Sequence, residues 1–355
     1  MLVGCIPNSA DFSHPADRRR YLFYFNKAGV NYEYAVYKKH YDIVHIAINA
    51  DLGMWCNYRH AQLRAGKKVR VIFDLSDFYF GADTINDFAR SLYHFAVGRS
   101  STVSISYKAT LLRMVAGSDI VLCGSIEQKK FLDQYHSNVV VVRDYFGSEG
   151  LTVKKQYGLS RRGELNVFWE GFAHGNKRIF EMLRNILNNV ANYKVRVHIV
   201  TDPTYCRVGS KHLCQPTYSV LKKVFIHSNV SFHLYDWNSV TFSAIASACD
   251  LALIPLPDEP QLWNKPENKL LLLWTVGLPT ITSSTPAYSR VMRSVGGGYT
   301  CGNIEEWGRQ IEELASSEEL RIKHMTAALG YLNEHCADDV LLRAWAEIFR
   351  IERTN

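Results

Sequence analysis

Short, almost wholly apolar segments alternate with longer amphipathic ones along this chain, and that alternation leaves few folds open. Leu2–Pro7, Asp42–Ile48, Val69–Asp74, Asp119–Cys123 and Asn138–Arg143 read as strands. Leu165–Trp169, Val195–Thr201, Val230–Tyr235, Leu251–Pro255 and Thr280–Ser283 repeat the theme further on. A strand apolar on both faces is one covered on both faces, which is the condition of a parallel sheet with helical crossovers. The stretches between read as helices, among them Ala16–Ala28 (stopped by Gly29), Lys108–Ala116, Ile126–Tyr135, Lys177–Asn189, Ser239–Ala248 and Asn268–Val276. Trp307–Ala315, Glu318–Glu334 and Val340–Glu352 close the chain as helices. The expectation is an α/β protein of two Rossmann-like parallel-sheet domains, a natural division for 355 residues. Asp144–Gly163, rich in glycine and charge, is the expected linker between a domain over 1–150 and one over 164–335. Such sheets bind ligands at the carboxyl ends of their strands, here facing each other across a cleft.

A formal net charge of +7 points to anionic company, whether a phosphate-bearing small molecule or an anionic membrane surface. No nucleic-acid-binding motif accompanies it. Arg18-Arg19-Arg20 reads as a solvated helix face that could rest on such a membrane. No segment approaches the ~18 apolar residues of a membrane span, and Leu2–Pro7 lacks the build of a signal peptide. The eight cysteines show no CxxC pair and several sit in apolar runs, so they read as reduced thiols of a cytoplasmic protein. Thirteen histidines form no zinc-ligand spacing. The nucleophile elbow, the P-loop, the H-E-x-x-H helix and the dinucleotide fingerprint are all absent. Gly296-Gly297-Gly298 reads as a turn.

The most informative stretch is Asp250 to Tyr288. A strand ending at Pro255 leads through a loop to Pro266-Glu267-Asn268-Lys269, a leucine-rich helix, then Gly277-Leu278-Pro279 and a strand. Asn268 reads as the N-cap, with Pro266 keeping the preceding chain out of the helix. The helix start then offers free N–H groups and a positive dipole end to an anion. Lys269 in its first turn opposes that dipole, and a bound diphosphate would account for it; a snorkelling surface lysine is the alternative.

This layout, with Trp169-Glu170-Gly171 before Asn176-Lys177 and with Ser118-Asp119 through Gln128, resembles the GT-B glycosyltransferases, closest to the family-four-like group of bacterial surface-polysaccharide synthesis. The resemblance implies a GT-B architecture with an acceptor-binding first domain and a donor-binding second. It also implies a terminal helix within 336–355 that crosses back to the first domain. It implies transfer of a sugar from a nucleoside-diphosphate sugar to a hydroxyl of a saccharide or lipid-linked saccharide. No cofactor or metal is implied, since the helix dipole and basic residues serve the diphosphate. Glu259 and Glu267 stand eight apart, the E-x7-E spacing of that group, but register from Gly277 places the second family glutamate at Leu272 and the first at Asn264. The pair is out of register, Glu267 reads as a helix-end charge, and Asn264 and Lys265 occupy the sugar-handling loop. Gly171, His174, Asn176 and Lys177 are further donor-side candidates, Lys177 standing where the family has a basic residue on the leaving diphosphate. Asp236 and Trp237, after a strand, are placed beside the nucleotide base.

On the acceptor side, Asp11 and His14 follow the first strand and are candidate general bases. Asp17 reads as the cap of the next helix. Asp74 and Asp77 at another strand end could be a base, an acceptor contact or caps. Two rivals remain at this point: a nucleotide-sugar 2-epimerase of the same fold, and an inactive GT-B-like subunit that only binds a sugar nucleotide.

Overall fold

The computed structural model describes residues 1–80, 84–98, 100–101, 103–104, 106–147, 149–206 and 214–350. They form two compact units. The first comprises Met1–Tyr145, Glu259–Asn268 and the chain from His335 onward; the second comprises Phe146–Asp258 and Lys269–Glu334. The short segment Glu259–Asn268 thus belongs with the first unit and not with an unbroken 164–335 domain.

In the first unit β1 (Val3–Ile6), β2 (Tyr32–Tyr34), β3 (Ile43–Ala47), β4 (Arg70–Leu75), β5 (Ile120–Cys123) and β6 (Val139–Val141) form one parallel sheet. Its order is β2-β1-β3-β4-β5-β6, so the winding reverses between β1 and β3. Four of these strands, β1 and β3 to β5, are buried nearly throughout, with one apolar cluster on each face. The terminal helix Asp338–Phe349 covers one face, setting Phe349 edge-on to Phe25 and stacking it on Tyr24.

The helix expected over Ala16–Ala28 is two, Pro15–Arg19 and Tyr21–Ala28, broken at Arg20 where φ is −113° and ψ is −116°. The break has a side-chain reason. Arg20 is fully buried, its Nε donating to Asp74 at 2.8 Å, its Nη2 ion-paired with Asp74 at 2.7 Å, and its Nη1 donating to Asp144 at 3.1 Å and to the Val142 carbonyl at 2.7 Å. His45, also buried, stands 3.4 Å from Asp74 on the other side. A buried guanidinium is costly unless its charge is answered, which the carboxylates of Asp74 and Asp144 do here. The three arginines are therefore not one solvated face. Asp144, expected in the linker, is core.

The linker itself is no loose tether. Lys154 N donates to Val276 O, Lys154 Nζ donates to Cys249 O, and Ser160 N and Oγ donate to Asp250. Gly277 ends its helix with φ +77°, and a Cβ there would meet Lys154 O at 2.8 Å, so both backbone and packing demand glycine.

The second unit carries β7 (Glu164–Glu170), β8 (Lys194–Thr201), β9 (Thr204–Cys206), β10 (Cys214–Pro216), β11 (Ser231–Asp236), β12 (Leu251–Ile254), β13 (Thr280–Ser283) and β14 (Thr300–Cys301). Six of them make a parallel sheet in the order β11-β8-β7-β12-β13-β14. Numbered from β7, that is the 3-2-1-4-5-6 order of dinucleotide-binding sheets. The antiparallel pair β9–β10 carries a disulfide between Cys206 and Cys214, which corrects the expectation that all eight cysteines are thiols. The small hairpin brings the two sulfurs opposite each other, which scattered spacing could not reveal. The other six are free, and five of those are buried.

His324 lies in the second unit's core against Trp274 and Tyr299. Burial lowers its pKa from 6.5 to about 4. The folded state thus binds fewer protons than the unfolded one below pH 6.5, so stability falls as pH drops from about 6.5 through about 4 and the loss then levels off. The expected loss is of order 3 kcal/mol. Urea titrations across this window check it, and His324→Met should flatten the profile. No helix among the described residues is long and apolar enough to cross a membrane.

Candidate functional site

In the second sheet the winding reverses between β7 and β12, so the crevice for a ligand opens at the carboxyl ends of those strands. β7 ends in Trp169-Glu170, and Gly171 follows with φ +156°, at the edge of the region that side chains avoid. Lys269 reaches this strand end. Its Nζ donates to Glu170 O at 2.6 Å, stands 3.5 Å from the Glu170 carboxylate, and lies 5.4 Å from the centre of the Trp169 ring. A Cβ on Gly171 would come within 3.0 Å of that ammonium. The charge opposed by the dipole of helix Asn268–Thr275 thus has a partner within the chain, Glu170, which the sequence reading did not single out although it quoted Trp169-Glu170-Gly171. Asn268 is the first residue of that helix and not its cap; its buried Oδ1 has no hydrogen-bond partner among the described residues.

The loop after Gly171 is held by Ala173 N donating to Asp202 and by Asn176 Nδ2 donating to Phe172 O at 2.6 Å. Asn176 therefore ties the loop and does not cap the helix Lys177–Asn188. His174 is exposed. Lys177 points along the helix surface to Glu181 at 3.3 Å and is itself exposed. On the far side of β8, Asp236 ends β11, and Trp237 donates its N–H to Thr201 O while its indole is partly exposed. Asn238 caps the next helix through Thr241 N.

In the first unit the reversal between β1 and β3 puts the loop Pro7–His14 at the sheet's mouth. Asp17 does not cap a helix. Buried, it takes the N–H groups of Asn8 and Ser9 and the Asn8 amide, fixing the loop. His14 is the cap, its Nδ1 accepting from Ala16 N. A neutral ring so engaged carries its proton on Nε2. Asp11 is exposed, and hydrogen bonds from the Ser13 hydroxyl and N–H hold its pKa below the ordinary carboxylate value. That lowers its strength as a base.

Segment Glu259–Asn268 is seated beyond the ends of β4 and β5. Lys265 pairs with Asp77 at 3.5 Å, the Ser125 hydroxyl donates to Asn264 O, and Pro266 lies where a side chain on Gly124 would have to go. Gln128 fastens the floor by donating to Leu75 O and Asp77 O. Glu267 is buried and faces Arg143 at 3.7 Å, so it is no surface helix-end charge. Asp74 and Asp77, three residues apart in sequence, have separate duties, one in the core with Arg20 and one at the loop with Lys265. Asn264 and Lys265 accordingly sit in the first unit with Asp77; Gly171, Asn176, Lys177, Asp236, Trp237 and Lys269 are in the second.

No protein-family model matches the chain, and no curated protein matches it in sequence. Solved structures do match. A glycosyltransferase from Rickettsia africae ESF-5 superposes with a TM-score of 0.61 at 10% identity, covering 99% of each chain. WaaG, a glycosyltransferase of lipopolysaccharide biosynthesis, gives 0.56 at 12% identity over 98% of this chain and 100% of its own. The chain has the GT-B fold. Among larger GT-B structures, S. aureus TarM gives 0.58 at 10% identity over 87% of this chain. This chain spans 55% of the TarM chain's length. The GT-B likeness extends over both units, since the first two matches cover nearly every residue.

Proposed function

We propose that this GT-B chain transfers a sugar from a nucleoside-diphosphate sugar to a hydroxyl of a saccharide or lipid-linked saccharide acceptor, in surface-polysaccharide or glycolipid assembly. The observation that carries the reading is Lys269, brought by a helix N-terminus to the switch point of a 3-2-1-4-5-6 sheet beside a glycine. Glycosyl transfer develops positive charge on the sugar ring and negative charge on the departing diphosphate. The Lys269 ammonium and the free N–H groups of its helix stabilise the second of these, more strongly as bond breaking proceeds. A diphosphate takes the place of the Glu170 carboxylate as the lysine's counter-charge, and the orphaned Asn268 Oδ1 gains a polar neighbour. Trp237 and Asp236 are suited to the base, at the edge formed by β8 and β11. We take Asp77 as the acceptor-side carboxylate that receives a proton, exchanging its contact with Lys265 for the acceptor hydroxyl, since Asp11 is weakened as a base by its Ser13 bonds. Neighbouring structures support the class: TarM was solved with UDP, alpha-GlcNAc-glycerol and Fondaparinux bound. We place the chain in the cytoplasm, in peripheral contact with an anionic membrane that carries the acceptor.

Calorimetry with UDP, GDP, ADP and dTDP tests the proposal. At least one is expected to bind, and the matching sugar nucleotide to be consumed in a transfer assay. Absence of binding across all four would sink it.

A further inference from the structure

The hairpin β9–β10 is fastened to the strand end beside the donor crevice. It leaves β8 directly after Thr201-Asp202-Pro203 and pairs Thr204 with Pro216, Tyr205 with Gln215 and Cys206 with Cys214. Tyr205 is buried in the same apolar cluster as Ala173, Trp169 and Phe180. The bridge between Cys206 and Cys214 closes the outer end, with Cys214 exposed and Cys206 half-buried. The root is tied as well. Thr217, fully buried, donates its N–H to Pro203 O at 2.8 Å and its hydroxyl to Asp202 O at 2.7 Å. The Asp202 carboxylate in turn accepts from Ala173 N at 3.1 Å, and Gly171 donates its own N–H to Val200 O at 3.3 Å. The loop after β7, assigned above to the donor phosphates, therefore hangs from the residues that lead into the hairpin.

We propose that the Cys206–Cys214 bridge is a reversible redox site that sets, through Thr217 and Asp202, how firmly the Gly171 loop grips the donor diphosphate. The inference rests on the donor reading above and adds regulation to that site. In the reducing compartment where the chain is placed, the bridges that occur are those that open and close. This one lies at the surface, within reach of a dithiol reductant. The other thiols do not compete, because exchange needs a thiolate. Burial pushes Cys123 and Cys301 up to about 12 and Cys336 up to about 11, and it raises Cys5, Cys56 and Cys249 likewise. A thiolate of the reductant attacks the exposed Cys214 Sγ, the S–S bond breaks, and Cys206 leaves as a thiolate that takes a proton from water. The reductant's second thiolate then attacks the mixed disulfide. Cys214 is released and protonated, and the reductant ends as its own disulfide, having passed two electrons to the protein. Opening removes the cross-link from two strands of three residues each, and the root that orders Asp202 loosens with them. The closed bridge preorganises the loop, so the oxidised form binds donor more tightly. Coupling is reciprocal, so bound nucleotide protects the bridge by the same factor.

Calorimetry on the full chain with UDP, GDP, ADP and dTDP, before and after opening the bridge with dithiothreitol, tests it. Opening should weaken binding about fivefold, the lower end of ordinary coupling between sites. A saturating nucleoside diphosphate should shift the bridge's equilibrium with dithiothreitol about fivefold toward the oxidised form, or about 20 mV for a two-electron couple. Cys206→Ser with Cys214→Ser should match the reduced wild type under both conditions, with circular dichroism unchanged. Thr217→Val, which removes the hydroxyl link to Asp202, should bind equally with the bridge open or closed. Hydrogen exchange at the Ala173 N–H reads the same coupling with no nucleotide present, and should quicken on reduction. Exchange at Ala173 that ignores reduction, or a nucleotide affinity that ignores it, overturns the proposal. So does a double serine variant that binds like the oxidised protein, or a Thr217→Val variant that keeps the full redox response. Exchange that responds in a protein binding none of the four nucleotides would sink the sugar-transfer reading and leave the redox site standing, so the two failures are distinguishable.

Discussion

Lys269→Ala is expected to lower sugar transfer about 10²–10³-fold, the usual cost of removing one preorganised charge contact from a developing anion. The ammonium stands at the end of β7, held by the Glu170 carbonyl at 2.6 Å and facing the Glu170 carboxylate at 3.5 Å. In the proposed reaction, its loss would remove the cation beside the leaving diphosphate and leave the Glu170 carboxylate facing the same phosphates. Nucleoside diphosphate affinity should fall as well, but less than turnover, because the contact strengthens toward the transition state. Lys269→Ala together with Glu170→Gln should recover part of the affinity, since the repulsive carboxylate is then neutral. Steady-state kinetics and calorimetry on the two variants check this. Unfolding midpoints should fall modestly, since the lysine of this pair still reaches solvent, at 30% exposure. A large fall in midpoint with unchanged nucleotide affinity would make the lysine a structural strut for β7.

The second large effect is on stability. Arg20→Met should destabilise the first unit by about 3–5 kcal/mol, because it leaves two buried carboxylates without their cation. Burial by itself raises the Asp74 pKa, but Arg20 and His45 outweigh it and hold the group down to about 2. Its contribution is therefore complete above the unfolded value near 3.8 and is lost as pH falls through about 2. Asp144 moves the other way, since its burial outweighs the pull of Arg20 and Arg19. In Arg20→Met the counter-charge on Asp74 is gone, so acid unfolding should begin at higher pH than in the wild type. Denaturant titrations at neutral pH and acid titrations by circular dichroism measure the two parts. Asp74→Asn with Arg20→Met should be less damaging than Arg20→Met alone, as no buried carboxylate then remains at that position.

The strands were readable because burial on both faces writes itself as an unbroken apolar run. Ile120–Cys123 and Leu251–Ile254 are found where that rule puts them. The helix stop at Gly277 was readable for the equally local reason that only glycine suits its φ. What escaped was decided by partners distant in sequence. Nothing next to Arg20 announces Asp74 or Asp144, so three adjacent arginines looked like one wet face. The helix Thr84–Ala96 escaped because its polar side faces inward, inverting the pattern by which such helices are found. Short edge strands such as Tyr32–Tyr34 and Thr300–Cys301 carry too few residues for any period to show. At the site, the Pro266–Lys269 helix start was legible from its proline and its out-of-place cation. Glu170 as the partner of that cation was not, since 99 positions separate them.

The excursion of Glu259–Asn268 into the first unit has a consequence for anyone who would treat this chain as two interchangeable modules. Chain continuity passes between the units at Tyr145–Phe146, Asp258–Glu259, Asn268–Lys269 and Glu334–His335. A chimera joined once, at the linker, would import a foreign version of the ten-residue segment and of the terminal helix together with the second unit. Pro266 against Gly124, Lys265 against Asp77, Glu267 against Arg143 and Phe349 on Tyr24 would all have to be matched anew. Transplantable specificity in this chain is a matter of three cut pieces, not one, and grafts that respect those seams are the ones that should fold.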